Sequence, residues 1–283
     1  MITLIGRKID VNHDYQRRPG IDNPGGGIAT KFKYICKALP NIRMASDMED
    51  ADYIKMVEML WFHETLPKLP IEERIKMYKK SNSLKILIIS DPSFCRFPAM
   101  YVEQIFDITD IILVSSEYTD NWIKAYAPYE KVVYIPDPID VSEFDASGTN
   151  RSKSIAGCSQ IGVPKNIEMI IDVYGKLPSD IRKGYIGSKN IWGGYGNKGL
   201  EDSLKSVSDW IFPNAMTSEI ARIWANTLGY IGDTKYDTFC YAMIEAMASG
   251  CWLFLGKHPL YDDKPAFRFD TADEAVELIT THL

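Results

Sequence analysis

Two acids eight positions apart, Asp237 and Glu245, bracket the stretch Asp237-Thr238-Phe239-Cys240-Tyr241-Ala242-Met243-Ile244-Glu245. The first acid falls in a loop and the second in a helix. A small-residue run over 246–250 then leads into an apolar strand over 251–255. A helix N-terminus offers unpaired backbone N–H groups and the positive end of its dipole, and together these accept phosphate. A helix carboxylate can bind the two hydroxyls of a ribose, and an acid in the preceding loop can reach a sugar. The arrangement suits a nucleotide sugar. The competing reading is an ordinary amphipathic helix packed on a sheet, with both acids solvated.

The elements that must position these groups follow from hydrophobic periodicity. Buried strands are expected over 2–5, 53–60, 84–89, 110–116 and 131–135. Helices are expected over 28–39, 71–80 and 118–126. A polar stretch over 142–154 is the linker candidate. Beyond it come strands over 154–157, 184–187 and 228–232 and helices over 166–177, 218–226 and 272–281, with an irregular Gly- and Asn-rich loop over 188–200. Strands alternating with helices imply parallel sheets. The expected domains are 1–147 and 148–283, both Rossmann-like, with ligand bound between them at the carboxyl ends of the strands.

At 283 residues, 46% hydrophobic and 25% charged, the chain fits two α/β domains of ordinary soluble composition. The net charge of −6 argues against a large nucleic-acid footprint. The first residues hold too short an apolar run for a signal peptide, and no segment is apolar enough to span a bilayer. The five cysteines and four histidines are scattered without metal-ligand spacing, so free thiols, no metal site and a cytoplasmic location are expected. Gly25-Gly26-Gly27 precedes a helix, where glycines allow close backbone approach to a ligand. His63, flanked by Trp61 and Phe62, and Asp91, after the strand 84–89, are candidates on an acceptor side. A structural histidine and a helix-capping acid are the plainer readings.

The segment 237–250 resembles the acid-x7-acid donor motif of GT-B glycosyltransferases, in particular the retaining family 4. Phe239, Glu245, Ala246, Met247, Ala248 and Gly250 match that pattern; Asp stands for its first Glu, and Thr238 and Cys240 for its glycines. Residues 134–144 resemble the family's hinge sequence, with Asp137-Pro138 in place of Asn-Gly. Residues 157–166 resemble the start of its donor domain, where a Gly-Arg pair and a later Lys clamp the diphosphate. Lys165 stands where the Lys would be, while Cys158 and Ser159 occupy the place of the Arg. Lys189, Lys198 and Arg222 are possible substitutes for it.

The resemblance implies a GT-B fold, two Rossmann-like domains with a cleft between them, and transfer of a sugar from a nucleotide-diphosphate donor to an acceptor hydroxyl with retention. It also implies metal-independent chemistry with no cofactor beyond the donor co-substrate. Asp237, Lys165 and Glu245 would carry catalysis and donor binding. Gly26, Gly27, Gly157, Ser159, Gly187, Ser188, Thr238, Phe239 and Cys240 would complete the donor site. The acceptor stays open: a glycan, a lipid-linked sugar, a small molecule, or a modified DNA base as in compact phage enzymes. An epimerase, a phosphorylase and a non-catalytic sugar-nucleotide binding module are the remaining alternatives.

Overall fold

The computed structural model describes residues 2–5, 31, 34, 35, 37, 38, 42–45, 54–58, 70–80, 82–89, 98–146, 150–162, 165–187, 198–213, 215, 217–235, 237 and 239–283. They fall into two compact units, divided chiefly between Pro138 and Ile139.

The first unit holds a six-stranded sheet in the order β2-β1-β3-β4-β5-β6, every pair parallel. Its strands are β1 (Ile2–Ile5), β2 (Ile42–Ala45), β3 (Ile54–Glu58), β4 (Leu84–Ile89), β5 (Ile111–Val114) and β6 (Val132–Tyr134). A parallel sheet covered on both faces needs unbroken apolar runs rather than alternation. Leu87, Ile88 and Ile89, consecutive and all buried, show the consequence.

Helices α1 (Ile71–Lys80), α2 (Ala99–Ile108) and α3 (Glu117–Ile123) supply the apolar stripes that meet this sheet, among them Ile71, Ile75, Val102, Ile105 and Ile123. Glu72 and Glu73 open α1 and Lys79 and Lys80 close it, each opposing the nearer end of the helix dipole. Ser116 caps α3 by accepting from Thr119 N–H at 3.2 Å. Residues 31, 34, 35, 37 and 38 are helical, within the segment expected to be a helix. From it, Lys31 makes a buried ion pair with Asp137 at 2.6 Å.

The second unit has β7 (Ser152–Cys158), β8 (Arg182–Ile186), β9 (Trp210–Phe212), β10 (Thr227–Gly232), β11 (Trp252–Gly256) and β12 (Phe267–Phe269). Their order is β12-β11-β10-β7-β8-β9, again all parallel. Counted within the unit this is the doubly wound 3-2-1-4-5-6 arrangement, and the order reverses between β7 and β10. Side chains alternate between two cores. Ile155, Tyr185, Ile231 and Phe254 meet the face covered by α4 (Ile167–Lys176), α5 (Lys198–Val207) and α8 (Ala272–His282). Ala156, Ile186, Tyr230, Leu253 and Leu255 meet the face covered by α6 (Thr217–Ala225) and α7 (Tyr241–Ala248).

Two sequence expectations are corrected here. The polar stretch 142–154 is not all linker: the 3-10 helix Val141–Phe144 buries Phe144 in the second unit's core, and Ser249 Oγ donates to Phe144 O at 2.9 Å. The last residues of the expected loop over 188–200 are helical, because α5 begins at Lys198. Among the described residues no helix is long and apolar enough to cross a membrane.

Candidate functional site

Strand order reverses between β7 and β10, so the loops leaving their carboxyl ends diverge to opposite faces and open a crevice, the usual ligand position of such sheets. The loop after β7 carries Ser159 to Asn166 into α4, and the loop after β10 carries Asp233 to Cys240 into α7. The two meet through charged side chains. Lys165 Nζ donates to Asp237 Oδ2 in an ion pair whose side chains are 27% and 13% exposed. The next residue, Asn166, donates from Nδ2 to Asp233 Oδ2 at 2.6 Å.

Glu245 lies on α7 and is only 6% exposed, so neither acid of the motif is a solvated surface group. Its carboxylate is near enough to Cys158, at the end of β7, to add to burial in pushing that thiol well above its usual range. Burial and the Asp237 carboxylate also raise the Cys240 thiol, with Lys165 pulling the other way, and Cys240 Sγ lies 3.4 Å from the Tyr230 hydroxyl. Both thiols are therefore neutral near pH 7. Cys158 and Cys240 are thus small, uncharged groups within electrostatic reach of Lys165, with Glu245 near the first and Asp237 near the second.

Gly157, Ser159 and Gly187 are knit together beside this cluster. A Cβ at Gly157 would come within 2.7 Å of the Tyr185 ring, whose hydroxyl is hydrogen-bonded to Ser159 Oγ at 2.5 Å. Gly187 has φ +147°, and a Cβ there would stand 1.9 Å from Ser159 O. Phe239 packs edge-on against Tyr241 with ring centroids 5.0 Å apart. Gly26, Gly27, His63, Asp91, Ser188 and Thr238 lie outside the described residues.

Three participants escape sequence reasoning. Asp233 follows β10 directly, and burial raises its carboxyl pKa although Asn166 and the Thr234 N–H both stabilise the anion. Asn166 links it to the Lys165 loop. His258, after β11, has its pKa lowered by burial despite the pull of the Asp237, Asp233 and Asp262 carboxylates. Its Nδ1 accepts from Leu260 N–H at 3.1 Å. The only available signal was a polar residue at a strand end, in Gly232-Asp233-Thr234 and Gly256-Lys257-His258.

Arg222 is not the substitute for the missing Arg. With Arg182, Trp210 and Phe212 it lines a groove of about 300 Å³ at the amino ends of β7 to β10, the opposite edge of the sheet. The side chains of Lys189 and Lys198 lie outside the described residues. Among the described residues no three His, Cys, Asp or Glu side chains gather as a metal site.

No family model and no curated protein sequence matches the chain. Solved structures do. Sucrose-phosphate synthase from Thermosynechococcus elongatus superposes with TM-score 0.69 at 13% identity, covering 99% of this chain and 88% of that one. Anabaena HepE, solved in complex with UDP-glucose, gives TM-score 0.67 at 12% identity over 99% and 89%. The fold is GT-B. The pneumococcal O-GlcNAc transferase GtfA, in complex with UDP and GlcNAc, gives TM-score 0.58 at 15% identity over 81% of this chain and 49% of its own. The chain spans about half the length of TarM as well, at 48%. At such identities the likeness establishes the GT-B architecture, and any activity must be argued from the site.

Proposed function

We propose that the second unit binds a nucleotide-diphosphate sugar at the ends of β7 and β10, and that the protein transfers the sugar to an acceptor hydroxyl with retention. One observation carries this reading. Lys165, Asp237 and Glu245, separated by up to 80 residues in sequence, belong to the one place in a doubly wound sheet where ligands characteristically bind. That several GT-B neighbours were solved with UDP or a UDP-sugar supports it.

In this reading the Lys165 ammonium exchanges Asp237 for the diphosphate, and the N-terminus of α7 adds its backbone dipole. Glu245 takes the ribose hydroxyls and Asp237 the hydroxyls of the donor sugar. The acceptor oxygen bonds to the anomeric carbon as the bond from that carbon to the β-phosphate oxygen breaks. The nucleoside diphosphate leaves on the face the acceptor enters, and its phosphate takes the acceptor's proton. Lys165 offsets the charge that builds on the departing oxygen, a contribution worth about 10²–10³ in rate when one such donor is removed. Metal-independent transfer is part of the proposal, with Lys165 and the helix N-terminus in the role a cation would otherwise fill.

The test is to incubate purified protein with UDP-, GDP-, ADP-, CDP- and TDP-sugars and a panel of hydroxyl acceptors, following nucleoside diphosphate release and the anomeric configuration of product by NMR. Release from one donor class, lost in Lys165→Ala and giving product of unchanged configuration, is expected. Release with inverted product would overturn retention. Absence of release from a folded protein across donors and acceptors would overturn the activity.

A further inference from the structure

Asn166 is the only non-glycine residue with positive φ among the described residues, at φ 41° and ψ 48°. It stands at the N-cap of α4, where an Asn side chain ordinarily accepts from its own helix, yet it makes no such bond. Its amide is committed instead to Asp233, across the crevice at 2.6 Å. Asp233 is itself anchored. Its Oδ1 accepts from Thr234 N–H at 2.7 Å, and it fills the space left by Gly256, where a Cβ would fall 2.1 Å from that oxygen. Asn enters the left-handed region more readily than other non-glycine residues, and it is held there when its side chain has a fixed partner. The residue whose direction this turn sets is its neighbour, Lys165.

We propose that Asn166 and Asp233 are positioning residues for phosphate binding. Their bond holds the left-handed turn that directs the Lys165 ammonium across the ends of β7 and β10. It stays in place while Lys165 exchanges Asp237 for the donor diphosphate. The two loops are thus joined by one fixed bond and one exchangeable bond, made by consecutive residues. Neither positioning residue touches the donor; both act through Lys165. The inference rests on the donor-site reading above.

Calorimetry of UDP, GDP, ADP, CDP and TDP binding to the full chain tests it, with Asn166→Gly, Lys165→Ala and the double variant measured alongside and a melt recorded for each. Glycine accepts this backbone conformation without strain, so Asn166→Gly removes the amide and spares the fold. The diphosphate that binds wild type should bind Asn166→Gly about tenfold more weakly, the size of one lost hydrogen bond to a charged group. That loss should vanish in the Lys165→Ala background, since residues acting through one another are not additive. Asp233→Ala should repeat both results. Unchanged affinity in Asn166→Gly, or an undiminished loss on top of Lys165→Ala, would overturn the positioning role alone. A wild type that binds no nucleoside diphosphate would overturn the donor reading and this inference with it.

Discussion

Asp237 carries two opposing demands. In the structure it neutralises Lys165, and in the proposed reaction it must release that ammonium and turn to the donor sugar. Asp237→Asn removes the competitor for Lys165 together with the sugar contact. The nucleoside diphosphate should then bind several-fold more tightly, because an ion pair worth about 1 kcal/mol no longer has to be broken. Turnover should fall by at least about tenfold as sugar orientation is lost. Calorimetry and steady-state kinetics read the two separately, and a fall in both would contradict the exchange.

His258 makes a second prediction. Its folded pKa lies below the unfolded value of about 6.5, so the unfolded chain takes up a proton first as pH drops. The stability contributed by the neutral imidazole is complete above that pH and is lost as pH falls through it toward the folded value. Protonation also destroys the bond that Nδ1 accepts from Leu260 N–H. Melting temperature should therefore decline less steeply in His258→Gln than in wild type between about pH 7.5 and 5.5. Equal slopes would remove His258 from the account.

Among the elements, the turn that ends β8 is constrained both by its backbone angle and by a close neighbour. Gly187→Ala would put a methyl group 1.9 Å from Ser159 O at a φ that side chains rarely adopt. A cost of roughly 2–4 kcal/mol is expected, read as a lower denaturant midpoint. An unchanged midpoint would mean that the turn relaxes freely.

In the first unit, Asp137 is held by Lys31 at 2.6 Å with side chains only 5% and 6% exposed. Asp137→Ala takes one carboxylate away from a buried ammonium and should cost about 1–3 kcal/mol in a urea titration. A loss below about 1 kcal/mol would place the pair among those that contribute nothing measurable. The hinge pattern flagged Asp137 only as a departure from Asn-Gly; its buried partner becomes visible once β6 and the helical stretch near residue 31 are folded.

The same contrast runs through the rest of the chain. Inner strands such as β4 and β7 were readable because both faces are covered and the apolar run is unbroken. β2, β9 and β12 were missed, and each is a short strand at the edge of its sheet, where little apolar sequence is needed. Asp237 and Glu245 were readable because their spacing is local. Asn166 and Asp233 were not, because they lie 67 residues apart and meet only through the register of β7 against β10.

Considered as a molecule, the chain keeps a GT-B architecture at 12–15% identity to its structural neighbours. What such distant sequences must share is a layered α/β core and the reversal of strand order that opens a crevice, and neither demands particular residues. The chemistry therefore has to be tested at the crevice. The titratable groups placed there, Lys165, Asp233, Asp237, Glu245 and His258, all belong to the second unit.

A thermal-shift screen of the full chain against UDP-, GDP-, ADP-, CDP- and TDP-sugars, run beside Glu245→Ala, tests whether the crevice holds a nucleotide sugar. Ligand at 100 times its dissociation constant should add about 2.7 kcal/mol of stability. One nucleotide class should raise the melting temperature of wild type and leave that of folded Glu245→Ala unchanged. No shift with any donor, or an equal shift in the variant, would contradict a nucleotide-sugar site built on Glu245.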